Sequence, residues 1–220
     1  MKVLARLRQG LMTRSMAFAS ARRTDVEVAG LRLRVEPGVC HPAPALGFSF
    51  ATLFEAALVG LPTGARVLDV GTGCGVWALL ASRAGGDVTA TDLTHVPLEP
   101  VADAARDAGL RVPRVLHGDL FEPVAGERFR RVLFNPPFHL GTPRTESERA
   151  TLGGPHGEVL RRFLAELPLH LEPGGSGWVV LPRTERRAYE DALAPLSPEV
   201  RAHRTIPVLG RAELIRLTPR

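Results

Sequence analysis

A glycine-rich turn between an apolar run and a helical pattern constrains this chain more than any other feature. Residues 66–77 read Arg-Val-Leu-Asp-Val-Gly-Thr-Gly-Cys-Gly-Val-Trp. The β-branched and aliphatic residues are typical of a strand buried on both faces, and the glycines let the backbone turn sharply and approach a ligand closely. The first amide groups of the following helix lack intrahelical partners, so they can hold a polar or anionic ligand group. The pattern predicts a strand, a tight loop and a helix that together bind a nucleotide-like cofactor.

The residues around the glycines argue against two common nucleotide sites. A Walker-type loop for nucleoside triphosphates needs Lys-Ser or Lys-Thr after its last glycine, whereas Val76 and Trp77 follow here. A dinucleotide loop places its third glycine three positions after the second, but Gly75 follows Gly73 by two. The alternative interpretation is a glycine turn that binds nothing.

Acidic residues follow the next two predicted strands. Asp92 ends the first of them, at a position where a carboxylate can accept hydrogen bonds from both hydroxyls of a ribose. Asp119 follows the second and can accept an adenine amino group while Leu120 or Phe121 packs on the ring; a role as a turn or cap residue is the alternative for Asp119. The alternation of strands and helices predicts an α/β fold with a doubly wound, mostly parallel sheet, whose ligands bind beyond the carboxyl ends of the strands.

The strand predicted over residues 129–134 leads into Asn-Pro-Pro-Phe at 135–138. An amide or exocyclic amine nitrogen is a poor nucleophile because its lone pair is delocalised. The side-chain oxygen of Asn135 and the backbone carbonyl of Pro136 can each accept one N–H of such a planar amine and so aim its lone pair. The two prolines stiffen the loop, and Phe138 offers a face for stacking. Asn135, Pro136 and Phe138 are therefore the predicted catalytic residues, and a rigid turn without chemistry is the alternative.

These motifs resemble those of a known group of enzymes. The Asp-x-Gly-x-Gly-x-Gly arrangement of residues 69–75 resembles the first motif of class I S-adenosylmethionine methyltransferases. Asn-Pro-Pro-Phe is similar to the acceptor motif of the amino-methyltransferases. That group includes the HemK-type release-factor glutamine methyltransferases, the small-subunit rRNA guanine methyltransferases and DNA adenine methyltransferases. The resemblance extends through most of residues 31–182, including the Pro-Gly-Gly turn at 173–175.

The resemblance implies a fold, a cofactor and a set of site residues. The fold is a Rossmann-like sheet of seven strands with an antiparallel last strand, and the cofactor is S-adenosylmethionine. The glycine loop holds the methionine end, Asp92 the ribose, Asp119 and Leu120 the adenine, and residues 135–138 the acceptor nitrogen. The complete predicted cofactor set is Asp69, Gly71, Thr72, Gly73, Gly75, Asp92, Leu93, Asp119, Leu120 and Asn135. The implied reaction is N-methylation of a protein glutamine, with a nucleobase or a small molecule as alternative acceptors.

One segment departs from the pattern of this group, and the role of a second segment has two interpretations. The HemK-type loop before the first helix carries an acidic residue, whereas residues 41–49 read His-Pro-Ala-Pro-Ala-Leu-Gly-Phe-Ser here. This loop is expected to lie over the cofactor. Residues 139–152 are polar and are expected to line the acceptor side. His139 is either a proton acceptor or a packed residue.

Composition bounds the remaining possibilities. A chain of 220 residues that is 45% hydrophobic can form one substantial core, and no apolar run approaches the ~18 residues of a membrane span. The two cysteines form no CxxC pair and share no ligand spacing with the histidines, so we expect no disulfide, no metal site and a cytoplasmic location. We divide the chain into residues 1–48, an arm, hairpin and lid loop, and residues 49–220, the cofactor-binding domain.

The net positive charge is concentrated at the amino terminus. Six basic residues and no acidic ones lie within residues 1–23, leaving 22 basic against 23 acidic side chains in the remainder. Apolar residues at helical spacing make this arm a candidate basic amphipathic helix. Three interpretations compete: an arm that contacts nucleic acid or the ribosome, a surface helix packed on the core, and a transit peptide. The oligomeric state cannot be derived from the sequence.

Overall fold

The computed structural model describes residues 22–39, 42, 51–94, 98–206 and 210–220. Almost all of the basic arm and most of the predicted lid loop therefore lie outside the described residues. The sequence patterns predict helices that begin at Phe50 and Pro97, and these two residues also lie outside the described residues.

Nine strands and seven α-helices are described. The strands are β1 Thr24–Val28, β2 Leu31–Val35, β3 Arg66–Val70, β4 Asp87–Asp92, β5 Arg114–His117, β6 Phe129–Phe134, β7 Leu171–Pro182, β8 Glu199–Ile206 and β9 Gly210–Leu217. The helices are α1 Ala51–Leu58, α2 Val76–Arg83, α3 Leu98–Asp107, α4 Glu146–Arg149, α5 Glu158–Glu166, α6 Arg183–Arg186 and α7 Glu190–Leu193.

Seven of the strands form one sheet in the order β5-β4-β3-β6-β7-β9-β8. The first five pair in parallel, and β9 runs antiparallel to both of its neighbours. The predicted doubly wound sheet with an antiparallel last strand is thus confirmed. From β3 the chain adds β4 and β5 on one side of the sheet, and from β6 it adds β7, β9 and β8 on the other side. The carboxyl ends of these two neighbouring strands therefore flank the switch point where ligands bind in such sheets.

The predicted hairpin is present as β1 and β2, which form a separate two-stranded sheet. Alternation along β2 places Leu31, Leu33 and Val35 on one buried face, which joins the same apolar core as α2 and α3. The hairpin does not extend an edge of the main sheet but lies against these helices. It shares their core, although the predicted boundary at residue 48 falls outside the described residues.

The lengths of three predicted elements differ from the observed ones for local reasons. Apolar residues at helical spacing predict a helix over residues 157–170, but α5 ends at Glu166, because Pro168 allows only a 3₁₀ turn to follow. The sequence also predicts a last helix that ends over residues 189–196, but this region is divided into α7 and short 3₁₀ turns. A strand is expected over residues 178–181, but β7 already starts at Leu171, and its pairing with β6 shifts register between Phe129 and Arg131. No helix in the described part of the chain is long and apolar enough to span a membrane.

Candidate active site

A cavity of about 520 Å³ lies at the carboxyl ends of β3, β4, β5 and β6. This volume is within the ~300–1,000 Å³ of typical small-molecule sites. Most of the predicted site residues line it: Gly71, Thr72, Gly73, Asp92, Leu93, Asp119, Leu120 and Asn135. Asp69, Gly75, Pro136 and Phe138 are not among the lining residues.

The glycine loop adopts a conformation that only glycine takes easily. Gly71, Gly73 and Gly75 have φ angles of 61°, 56° and 83°, in the left-handed region. A Cβ atom on Gly71 would also lie 3.3 Å from the Phe134 ring. Gly75 caps α2, and its N–H donates to the Thr72 carbonyl at 2.8 Å. The loop therefore exposes backbone to the cavity at the start of a helix.

Asp69 braces this loop from beneath. It is fully buried, and its Oδ2 accepts hydrogen bonds from the Thr72 hydroxyl at 2.7 Å and the Ala78 N–H at 3.1 Å. The latter is one of the amides at the start of α2 that lack an intrahelical partner. Burial raises the pKa of Asp69 to about 7, although the Thr72 hydrogen bond opposes the shift. The structure thus links Asp69 to the loop and the helix rather than to the cavity wall.

Asp92 joins the glycine loop to the end of β4. Its Oδ2 accepts the Gly73 N–H at 2.9 Å, and its Oδ1 accepts both the N–H and the hydroxyl of Thr94 at 2.9 Å. A carboxylate has about four acceptor positions, so three are already used and Oδ2 keeps the open one. The side chain is half-buried and remains available to the cavity through that oxygen.

Asp119 and Leu120 lie at the end of β5. Oδ2 of Asp119 accepts a hydrogen bond from Arg162 on α5 at 2.8 Å, which forms a partly exposed ion pair. Leu120 has a φ of 48°, a conformation that a branched side chain rarely adopts. Its carbonyl accepts the Thr91 hydroxyl at 3.0 Å, which holds the strained turn in place. Such strain is retained where the surroundings demand it, and it often marks functional sites.

The residues of the Asn-Pro-Pro-Phe segment alternate between the cavity and the core. Asn135 and Pro137 line the cavity, whereas Pro136 and Phe138 are buried away from it. Oδ1 of Asn135 is buried and has no hydrogen-bond partner. Phe138 is 7% exposed and packs edge-on against the His139 ring. The stacking face expected from Phe138 is therefore not offered to the cavity, because successive side chains of an extended segment point in opposite directions.

His139 is a packed residue in this structure. It is 3% exposed, and neither ring nitrogen has a hydrogen-bond partner. Burial lowers its pKa to about 4, so the ring is neutral, and its Nδ1 lies 3.8 Å from Oε1 of Glu185. The ring does not line the cavity. Among the described residues, no group of three or more His, Cys, Asp or Glu side chains could hold a metal ion.

The far side of the cavity is formed by residues that the motifs did not single out. As expected, part of the 139–152 segment lines it, including Thr142, Pro143, Arg149 and Leu152. Gly153, Pro155 and Glu158 continue this wall. Arg149 ends the short helix α4, which is capped by the Thr145 hydroxyl. No spacing in the sequence marks Arg149, because its place in the wall depends on how the loop folds back against residues 139–141.

Comparisons with known proteins place the fold and the site in context. The model of the methyltransferase small domain family matches residues 51–205. The chain is 34% identical over 118 residues to the ribosomal RNA small subunit methyltransferase C of Alcanivorax borkumensis, covering 54% of this chain and 32% of that protein. It is 38% identical over 143 residues to the release factor glutamine methyltransferase of Xylella fastidiosa, covering 59% of this chain and 51% of that protein.

The chain thus spans about half, or less, of these two curated relatives. Among solved structures, the 16S rRNA N2 methyltransferase RsmC of T. thermophilus, solved with AdoMet and guanosine, superposes with a TM-score of 0.64 at 20% identity. That similarity covers 90% of this chain and 50% of the other. It supports the fold, while the family match covers most of the sheet and the cavity. The chain belongs to the methyltransferase small domain family.

Proposed function

We propose that this protein is an S-adenosylmethionine-dependent N-methyltransferase acting on a planar amide or amine nitrogen. The observation that carries the proposal is the buried, unpartnered Oδ1 of Asn135, in the wall of the same cavity as the glycine loop and Asp92. A buried acceptor without a donor is costly, by about 1–3 kcal/mol. A planar N–H group of an acceptor would satisfy it.

The cavity suits the proposed cofactor on several counts. When bound, S-adenosylmethionine supplies an electrophilic methyl group on a cationic sulfur. The left-handed glycines keep the loop free of side chains, the open position on Asp92 Oδ2 can accept one ribose hydroxyl, and Leu120 offers an apolar surface to the adenine. Asp119 can accept the adenine amino group while still paired with Arg162, since a carboxylate accepts several hydrogen bonds. Asp69 acts here by holding the loop and α2.

The chemistry requires little more than orientation of the acceptor. The Asn135 oxygen accepts one N–H of the planar amine, which turns the nitrogen lone pair towards the methyl carbon. The backbone carbonyl of Pro136 is the second proposed acceptor. With the cofactor bound, the N–C bond would form as the methyl carbon–sulfur bond breaks and leaves a neutral thioether. The methylated nitrogen would then be acidic enough to release its proton to water, so no strong base would be needed. This agrees with a neutral, buried His139 that lies behind the loop.

The acceptor that this wall favours is the side chain of a protein glutamine. Among the described residues, Pro137, Thr142, Pro143 and Leu152 line the proposed acceptor side of the cavity. The two aromatic residues in the described cavity lining, Trp77 and Phe134, adjoin the glycine loop instead: Trp77 follows the loop on α2, and the Phe134 ring lies close to Gly71. Single-stranded bases are usually bound by stacking on aromatic side chains, whereas the aliphatic stem of glutamine needs no such surface. The similarity to the Xylella fastidiosa release factor enzyme supports the same class. We also propose a cytoplasmic location, because the two cysteines do not form the pattern of a disulfide framework.

A nucleobase is the second candidate, and Arg149 favours it. Arg149 is the one basic residue among the described residues that line the cavity, and it is exposed. An arginine at the mouth of a site can bind a phosphate bidentately or stack on a base. The similarity to the rRNA enzyme of Alcanivorax borkumensis supports this alternative. The basic arm at residues 1–23 is a further proposed nucleic-acid contact.

Transfer of labelled methyl groups into fractionated lysate tests the proposal. We expect label in protein, on the nitrogen of a glutamine amide, and Asn135→Ala should lower turnover by about tenfold to a hundredfold, or ~1.4–2.7 kcal/mol, with cofactor affinity retained. Asn135→Asp should also fail, because it adds a charge beside the cationic sulfur. Methylation of oxygen, sulfur or carbon, or full turnover by Asn135→Ala, would refute N-methylation.

The same assay separates the two acceptor classes. If RNA is the substrate, Arg149→Gln should weaken its methylation and flatten the salt dependence of binding, whereas Arg183→Gln, an exposed arginine outside the cavity wall, should not. Deletion of residues 1–21 should flatten the salt dependence further if the arm binds phosphates. Label confined to protein, with no effect of Arg149→Gln on RNA binding, would leave glutamine as the acceptor.

A further inference from the structure

The backbone of the Asn-Pro-Pro-Phe segment can donate few hydrogen bonds to its surroundings. Pro136 and Pro137 have no N–H, so this part of the loop can be anchored mainly through its carbonyl groups. The Phe138 carbonyl accepts a hydrogen bond from the Tyr189 hydroxyl at 3.1 Å. Beyond it, the His139 N–H donates to Thr151 at 3.1 Å, and the Gly153 N–H donates to the His139 carbonyl at 2.9 Å. The hydroxyl of Tyr189 is thus a side-chain donor to the last residue of this segment.

Tyr189 is itself held firmly. It is fully buried, and burial raises its pKa to about 12, so the hydroxyl keeps the proton that it donates. The guanidinium of Arg161 lies 5.6 Å from the centre of its ring and is fixed by hydrogen bonds to Asp191 and the Ala188 carbonyl, both at 2.7 Å. Gly157 leaves room for the ring, because a Cβ atom there would collide with its edge and hydroxyl.

We propose that Tyr189 is a positioning residue for methyl transfer. Its hydroxyl fixes the Phe138 carbonyl, and the two stiff prolines pass that constraint back to Asn135 at the cavity wall. The inference rests on the proposed function, because the position of Asn135 matters only if its oxygen orients the acceptor. Tyr189 does not touch the cavity and acts through the loop alone.

Tyr189→Phe tests this role, since it removes the hydroxyl and keeps the ring. Leu193→Ala is the matched control: Leu193 is 1% exposed, lies on the neighbouring α7 and packs in the same core. For Tyr189→Phe we expect amide hydrogen exchange at His139 and Gly153 to rise about tenfold more than any loss of global stability explains, and kcat to fall about fivefold to fiftyfold. Cofactor affinity by calorimetry should stay within about twofold. Leu193→Ala should lower thermal stability and leave kcat and the local exchange pattern near wild type.

The outcomes separate this inference from the proposed function. Unchanged exchange and unchanged kcat in Tyr189→Phe would overturn the positioning role, even if the wild-type protein methylates glutamine. Equal loss of kcat in Tyr189→Phe and Leu193→Ala would overturn it too, because both would then act through stability. If the wild-type protein methylates no nitrogen acceptor, the proposed function fails, and the exchange rates at His139 and Gly153 still decide whether Tyr189 anchors the loop.

Discussion

Asp92 accepts three hydrogen bonds from the protein, so it organises the site as well as facing the cavity. Asp92→Asn should weaken cofactor binding by about tenfold to a hundredfold, because charge-assisted hydrogen bonds contribute ~1.5–3 kcal/mol each. Isothermal calorimetry measures the change. Asp103→Asn is the control, since Asp103 lies exposed on α3 and pairs only with Arg106 among the described residues. Equal affinities for Asp92→Asn and the control would remove Asp92 from the binding site.

His139 makes stability depend on pH. Burial lowers its pKa from 6.5 to about 4, so its contribution to stability is fully present above pH 6.5 and is lost progressively as the pH falls from 6.5 to about 4. On going from about pH 8 to pH 5, this residue should lower the free energy of unfolding by about 2 kcal/mol. His139→Leu should abolish this part of the pH dependence. Denaturant unfolding at both pH values measures it. The raised pKa of Asp69 changes stability with pH in the opposite direction, but this contribution is the same in the wild type and in His139→Leu and so cancels from their difference. Identical slopes for both proteins would show that His139 is not buried as a neutral ring.

At the scale of elements, the acceptor loop, our name for residues 135–141 with their proposed role, is held between Tyr189 and the 151–154 segment. His139 bridges to Leu152, and Gly141 bridges to Gly154. Gly153 does not have a positive φ, so its backbone conformation does not require glycine. Glycine is required by the lack of space, because a Cβ atom at this position would collide with the Pro137 carbonyl. The clamp therefore sets how far the acceptor loop reaches into the cavity.

Gly153→Ala should push this loop away from its partner. We expect methyl transfer to fall at least tenfold while cofactor affinity stays near wild type, because Pro137 belongs to the acceptor side of the wall. Gly109→Ala is a suitable control: its φ of 65° makes alanine unfavourable by about 1 kcal/mol, but nothing lies within 4 Å of the new atom. If both variants lose transfer equally, the loss reflects stability rather than the loop.

For the whole molecule, the question is whether the hairpin unfolds together with the sheet. Leu33 is 1% exposed and lies in one core with α2 and α3. Leu33→Ala should lower the free energy of unfolding by about 2–5 kcal/mol. Fluorescence of Trp77 and Trp178 and far-ultraviolet circular dichroism should report one shared transition.

Val59→Ala is the control for this experiment, because Val59 is 77% exposed and its truncation removes little buried surface. Two separate transitions in Leu33→Ala, one from the hairpin alone, would favour a division of the chain before residue 49. A single transition would make the hairpin part of one cooperative unit.

The order of the elements and many residues of the cavity wall can be predicted from the sequence. Three local properties of the sequence carry this information: glycines where the backbone is left-handed, the periodicity of apolar residues, and acidic residues at strand ends. Parallel pairing then brings the carboxyl ends of these strands to one edge of the sheet. That is why Gly71, Asp92, Asp119 and Asn135 were predicted and do line the same cavity. Family membership follows from the same motifs.

Only the tertiary structure decided which way the acceptor residues face. Asn135 and Phe138 are close in sequence, but Phe138 is buried in the core, whereas Asn135 lies in the cavity wall, where its Oδ1 has no hydrogen-bond partner. The tertiary structure also directs Asp69 towards α2 and places Arg149 in the cavity wall. It brings the Tyr189 hydroxyl to the Phe138 carbonyl, although the two residues are 51 positions apart in the sequence. These outcomes depend on contacts between distant segments and on the space that remains after packing, which no local pattern records.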